Sequence, residues 1–389
     1  MKFTRDWLFD HLDTDCPLEE ILDALPMLGL EVESFDDPAK RLAPFTIAEV
    51  ISAEQHPDAD RLRVCMVNTG SGDPVQVVCG APNARAGMKG VFAPAGAYVP
   101  GIDLVLKAGN IRGQDSNGML CSEREMMISD EHDGIIDLDQ DAPVGESFAA
   151  WAGLDDPVIE IAITPNRADC LGVRGVARDL AAAGYGTLKP LDTSAHEGSF
   201  DSPVTWRLDL DGAEHLAPLI TGIAFRGVTN GPCPDWMARR LNAIGQRPIS
   251  ALVDITNYVM FDLGRPLHAY DIDKIHGSEL IVRQADGGEP FAALNEKTYE
   301  MEAGMITIGD AEGVDDLAGV MGGERTGVSD GTTGMFLEIA VFDPISVATT
   351  GRKLNLNSDA RYRFERGLDS ESPVWAAGHI ARMVTEICG

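Results

Sequence analysis

The sequence predicts a multidomain α+β protein in which a small barrel of short strands is followed by a mixed α/β region. Three observations predict it. The 389 residues exceed what one hydrophobic core usually supports. Residues 45–148 read as short β segments separated by turn residues. The stretches on either side alternate between helical and strand-like apolar spacing. Hydrophobic residues make up 44% of the chain, enough to build cores, and no run of about 18 apolar residues suggests a membrane span.

The formal charge of −31 is the largest compositional signal, and it opposes non-specific binding to a polyanion. Any nucleic-acid contact must therefore be local. The acids are spread along the whole chain, which fits a general role in solubility. The seven cysteines, at 16, 65, 79, 121, 170, 233 and 388, form no CxxC pair and read as reduced structural thiols. The start, MKFTRDWLFDHLD, lacks an apolar signal core, so a cytoplasmic protein is expected.

Residues 1–40 read as a small α/β piece: Trp7, Leu8 and Leu12, a helix through Leu18, Ile21, Leu22 and Leu25, then the strand LEVESF. In the next segment, FTIAEVISAEQ, LRVCMVNTG, VQVVCGA, KGVFAPAGA and IDLVLKAGNIRG predict five strands. Five short strands suit a closed barrel of the oligonucleotide-binding type. The barrel alone leaves a protein-interaction module as open as a nucleic-acid one, since aromatic platforms are sparse.

VIEIAIT then leads into a helix over 169–183 with Asp169 as a candidate cap. Arg167, Asp169 and Arg174 suggest either an anion site or, more commonly, a surface ion-pair cluster. LDTSAHEGSFDSP marks a linker. Strands near 205–210 and 217–226 and a helix over 236–244 follow.

The run SALVDITNYVMFDLGRPLHAYD, residues 250–271, concentrates Asp254, Thr256, Asn257, Arg265 and His268 in a helix-like pattern. Ser250 is a candidate N-cap, Gly264 a stop, and Pro266 prevents continuation, so His268 falls on a turn or strand beyond the helix. His268 has no metal-ligand partner at useful spacing, and no metal is expected; taken alone it reads as a structural histidine. In MFLEIAVFD, Glu338 shares a strand face with Phe336 and Ala340. A lone carboxylate there needs a partner, either an arginine or a ligand hydroxyl. The glycines of GVMGGERTGV are not a phosphate loop, because no Lys-Ser or Lys-Thr follows. NSDARYRFERGLD reads as a solvated charge run.

Several of these segments together resemble the β subunit of bacterial phenylalanine–tRNA ligase. They are MKFTRDWLFDHL with LGLEVES, HPDADRLRVCMVNTG with VVCGAPN and SNGMLCSE, ITPNRADCLGVRGVARDLAA, DITNYVMFDLGRPLHAYD, LAGVMGG and SDARYRFERGLD. The resemblance runs along the whole chain in the family's order. It implies a discontinuous N-terminal α/β domain (1–40 and 150–195) into which a tRNA-binding-type oligonucleotide-binding barrel (41–149) is inserted. It further implies a linker (196–211), an editing domain (212–375) and a helix (376–389) leading into a C-terminal half that is missing here.

Function follows from the same resemblance. Aminoacylation, with its ATP and magnesium, would belong to the holoenzyme and its α subunit, and this portion would carry no cofactor. Its own reaction would be hydrolysis of Tyr mischarged onto phenylalanine tRNA. The expected partners are that tRNA's 3′ end and the α subunit, in a heterotetramer, with no membrane and no DNA. Carried over by position, the pocket maps to Thr256, Asn257, His268 and Glu338 as catalytic residues and to Gly322, Ser358 and Ala360 as substrate-binding ones. Ser358 stands where the family commonly has Thr. A non-enzymatic tRNA-binding or assembly scaffold is the alternative.

Overall fold

The computed structural model describes residues 1–389. The chain forms two compact units, one of residues 1–34 and 158–389 and the other of residues 35–157.

In the first unit Thr4 caps the helix Arg5–His11, its hydroxyl accepting from the Trp7 amide at 3.3 Å. Trp7 and Leu8 on that helix are fully buried. The helix Leu18–Met27 follows, and a small sheet sets Val158–Ile161 between Lys2–Thr4 and Val32–Asp36. The next helix starts at Val173, later than its apolar spacing suggests. Asp169 lies in a preceding 3-10 turn and is held by Arg167 and Arg178 instead of capping. The arginines and acids here thus form an ion-pair cluster, which Asp179 completes through Arg167.

Gly172 stands before this helix, where a Cβ would come within 2.2 Å of the Gly264 amide nitrogen. Only glycine permits that approach. Gly172→Ala should therefore lower stability by about 1–3 kcal/mol, measured as a fall in the denaturation midpoint, because the strain falls on backbone that cannot swing away.

A three-stranded antiparallel sheet dominates the rest of this unit, with Gly334–Val341 between Leu219–Arg226 and His268–Asp271. Alternation divides the central strand between two cores. Met335, Leu337 and Ile339 join a core with the helices Ala251–Leu263 and Ser372–Cys388. Phe336 and Ala340 join the other, with Tyr270, Val347 and Phe364. Contributing to that second core is a five-stranded sheet ordered Thr205–Asp209, Glu279–Gln284, Ile306–Gly309, Val314–Leu317, Met321–Gly322.

The charge run near the C-terminus is not a solvated face. Within the helix Asp359–Phe364, Arg363 is 2% exposed. It donates to the Leu171 carbonyl at 3.0 Å and to Asp359, and its guanidinium lies 4.6 Å from the Phe261 ring centre. The buried charge is held by hydrogen bonds from Nε and Nη1 and by the aromatic face beside the guanidinium.

The second unit is an antiparallel five-stranded barrel in the order Gly118–Leu120, Lys89–Pro94, Thr46–Gln55, Arg63–Asn68, Val75–Cys79. The Asn117 amide donates to the Gln76 carbonyl at 2.9 Å, drawing the two edges together. Four of the expected strands occur, but the fifth does not lie in IDLVLKAGNIRG. That segment forms short hairpin pieces in which Leu104 and Val105 are half exposed. The three-residue strand Gly118–Leu120 takes its place, and Gly118 is needed there because a Cβ would meet the Phe92 ring at 2.4 Å. Its brevity hid it. All seven cysteines are unpaired. Burial pushes the Cys65 thiol up to about 11, which suits structural thiols.

Candidate functional site

The helix Ala251–Leu263 sets the geometry. Ser250 holds the N-cap position without a side-chain bond. Asn230 accepts from the Leu252 amide at 3.1 Å instead, and Asp254 accepts from the Ile249 amide at 2.8 Å. Gly264 ends the helix in the left-handed region at φ 70°. The chain then enters the strand His268–Asp271, which pairs His268 with Glu338 and Tyr270 with Phe336. Across the other edge Gly222 faces Glu338.

Glu338 is 5% exposed, and its hydrogen-bond partner is a phenol: Tyr270 Oη donates to Oε2 at 2.9 Å. Burial pushes the carboxyl up to about 7, while the Tyr270 bond and the positive charge of Arg265 pull the other way. Arg265 is itself buried, donating to Ser372 Oγ at 2.8 Å and to the Ala340 carbonyl. Arginine is thus a second neighbour in charge, and tyrosine is the one that makes the bond.

His268 packs edge-on to Tyr270, ring centres 4.5 Å apart. Burial lowers its pKa to about 4, so the ring is neutral near pH 7. Its Nε2 is buried with no partner, and Nδ1 lies 3.8 Å from Asp316 Oδ2, beyond hydrogen-bond reach. Asp316 pairs in register with Gly322, whose Cα lies against the imidazole; a Cβ there would fall 2.2 Å from His268 Cε1. Burial, then the charges of Glu338 and Asp315, raise the Asp316 carboxyl well above the usual range. On the other face of the same strand, burial raises Asp315 to about 6, although Arg325 bridges it to Asp310 with contacts of 2.6 Å.

The structure therefore brings His268, Glu338 and Gly322 together. Ser358 caps the helix Asp359–Phe364, accepting from the Arg361 amide at 3.0 Å and donating to the Val320 carbonyl at 2.6 Å. Its hydroxyl is thus committed to tying that helix to the glycine turn. Ala360 packs against both cores. Thr256 donates to Val253 O in its own helix at 2.7 Å, and Asn257 is half-buried. Neither is hydrogen-bonded to the carboxylate cluster.

Tyr270, Asp315 and Asp316 were not singled out by the sequence reading. The available signal was Tyr270 two residues beyond His268 on one strand face, and paired acids in the strand-like run VDDL.

Two open clefts, of about 510 and 380 Å3, lie elsewhere in this unit. One is rimmed by Asp13, Cys16 and Gly186, the other by His11, Trp236 and Tyr258. Size does not mark the chemistry here, since the unpaired imidazole nitrogen and raised carboxyls are in the closed cluster. Asp169, Cys170 and Asp179 place ligand-type atoms within 4.8 Å, but Arg167 and Arg178 already engage the carboxylates. No helix is long and apolar enough to cross a membrane.

Residues 45–147 match the family model described as "Putative tRNA binding domain", and residues 216–389 match that of the B3/4 domain. The chain is 56% identical over 392 residues to the phenylalanine–tRNA ligase β subunit of Brucella abortus (strain 2308), covering all of this chain and 48% of the relative. It is 53% identical over 390 residues to that of Bradyrhizobium diazoefficiens, with the same coverage. A crystal structure of an N-terminal fragment of the phenylalanyl-tRNA synthetase β subunit from Pyrococcus horikoshii aligns over 52% of this chain and 62% of that one. The two are 17% identical, with a TM-score of 0.29. The chain spans about half the length of the curated relatives it matches. Matched along its whole length to the N-terminal half of these ligase subunits, with both domain types in place, the chain belongs to the phenylalanine–tRNA ligase β-subunit family.

Proposed function

We propose that the Glu338–His268 cluster hydrolyses the ester of tyrosine mischarged onto phenylalanine tRNA. The observation that carries this reading is a buried carboxylate, Glu338, directly across the sheet from a neutral histidine whose Nε2 is unpaired. Tyrosine differs from phenylalanine by one hydroxyl, and a buried acceptor for that hydroxyl discriminates far better than an apolar pocket. Glu338 is that acceptor. His268, uncharged, accepts a hydrogen bond from the attacking water or the terminal ribose, and Gly322 lets the imidazole lie flat against the backbone.

In this reading hydrolysis proceeds through a positioned water without a covalent intermediate. Thr256, Asn257, Ser358 and Ala360 would shape the approach of the amino acid. The barrel would bind tRNA, the α subunit would complete a cytoplasmic heterotetramer, and ATP and magnesium would act only in aminoacylation there. The acidic surface predicts weak tRNA affinity for the chain alone.

The test is deacylation of Tyr-charged phenylalanine tRNA by the chain, alone and with the α subunit. His268→Ala should reduce the rate by about 100-fold or more while leaving the fold intact by circular dichroism. No hydrolysis above buffer in either setting would instead favour an assembly scaffold.

A further inference from the structure

The Tyr270 hydroxyl occupies one oxygen of the carboxylate assigned to substrate recognition. Its donor bond to Glu338 Oε2 is 2.9 Å long, and the tyrosine is fully buried, so water cannot replace it. Tyr270 is also braced edge-on against His268 at 81°. One side chain therefore touches both members of the proposed site.

We propose that Tyr270 is a positioning residue for tyrosine-specific hydrolysis, orienting the Glu338 carboxylate so that Oε1 alone faces the substrate phenol. This rests on the editing reading and adds to it a specificity-determining residue. The physical reason is the polarity of the bond. A phenol has one proton to give, and a carboxylate anion receiving it is stabilised over the protonated acid. A carboxylate held at one oxygen also loses its freedom to rotate, which restricts where a second donor can bind.

The surroundings give Tyr270 this influence. Glu338 faces His268 and Tyr270 from the adjoining strand and Gly222, which offers no charge, from the other. The strand Val314–Leu317 brings Asp316 near the pair, where the Tyr270 hydroxyl pulls its raised carboxyl down as well, and sets Asp315 behind it, with Arg325 engaged by Asp315 and Asp310. Arg265 supplies the nearby positive charge while donating to Ser372 and the Ala340 carbonyl. Burial and the acids around it raise the Tyr270 phenol well above its usual value, so it remains a donor at any pH at which the protein would be assayed.

Tyr270→Phe removes the donor and keeps the ring. The Glu338 carboxyl, followed by 13C NMR with Glu338→Gln to assign its resonance, should then titrate on the order of one pH unit higher than in the wild type. In deacylation assays the preference for Tyr-charged over Phe-charged tRNA should fall several-fold at pH 7 and recover near pH 9, where Glu338 is again ionised. Loss of packing would lower activity at both pH values, so alkaline recovery separates positioning from structural support. An unchanged Glu338 titration in Tyr270→Phe overturns the proposal. A wild-type chain that hydrolyses nothing while the titration still moves upward overturns the editing reading and leaves the control of Glu338 by Tyr270 standing.

Discussion

Glu338→Gln is expected to abolish the preference for tyrosyl over phenylalanyl esters and, in the same protein, to raise stability above pH 7. The first effect follows from replacing an anionic acceptor by a neutral amide, a change on the order of 10- to 100-fold in selectivity. The second follows from linkage. The folded-state pKa of Glu338 is about 7 against an ordinary 4.5, so between those values the folded chain holds a proton that the unfolded chain has lost. Stability is therefore highest below the ordinary value and falls as pH rises toward 7, by a total on the order of 1–3 kcal/mol. Glutamine has no such slope and still accepts from Tyr270. Thermal melts should show the variant above wild type at pH 8 and the gap closing near pH 4.5; a gap independent of pH would remove Glu338 as its source.

Gly322→Ala should be the most damaging small substitution at the site. The new methyl would stand 2.2 Å from His268 Cε1, and the ring cannot retreat because Tyr270 lies against it. The imidazole must leave its place opposite Glu338, so deacylation should fall on the order of 100-fold, since displacements near 1 Å have that scale of effect. Stability should fall by about 1–3 kcal/mol. Gly231→Ala, where a Cβ meets open space, is the control and should leave both quantities unchanged. Equal effects at the two positions would show that contact with His268 is not the cause.

The site was partly legible because its residues break local patterns. Glu338 stands among apolar neighbours on a strand face, and His268 follows a helix stop formed by Gly264 and Pro266. Those are short-range signals, and strand alternation is enough to interpret them. The solvated reading of 357–369 failed because the acceptor for Arg363, the carbonyl of Leu171, lies 192 residues away in the chain. Ser250 does hold the N-cap position of the helix Ala251–Leu263, but the side chain that accepts from its first turn is Asn230, which comes from another segment. The fifth barrel strand has three residues, too few for alternation to show.

By itself the sequence determined the strands and helices with clear periodicity, the stop at Gly264 and the isolation of Glu338. These depend on neighbours within a few residues. Only the tertiary structure decided that the carboxylate's partner is Tyr270, that Asp316 joins the same buried group, and that Gly322 is required by the His268 ring. Strand register, burial and like-charge proximity are relations between segments far apart in the chain, and they set the protonation states on which the chemistry of this site depends.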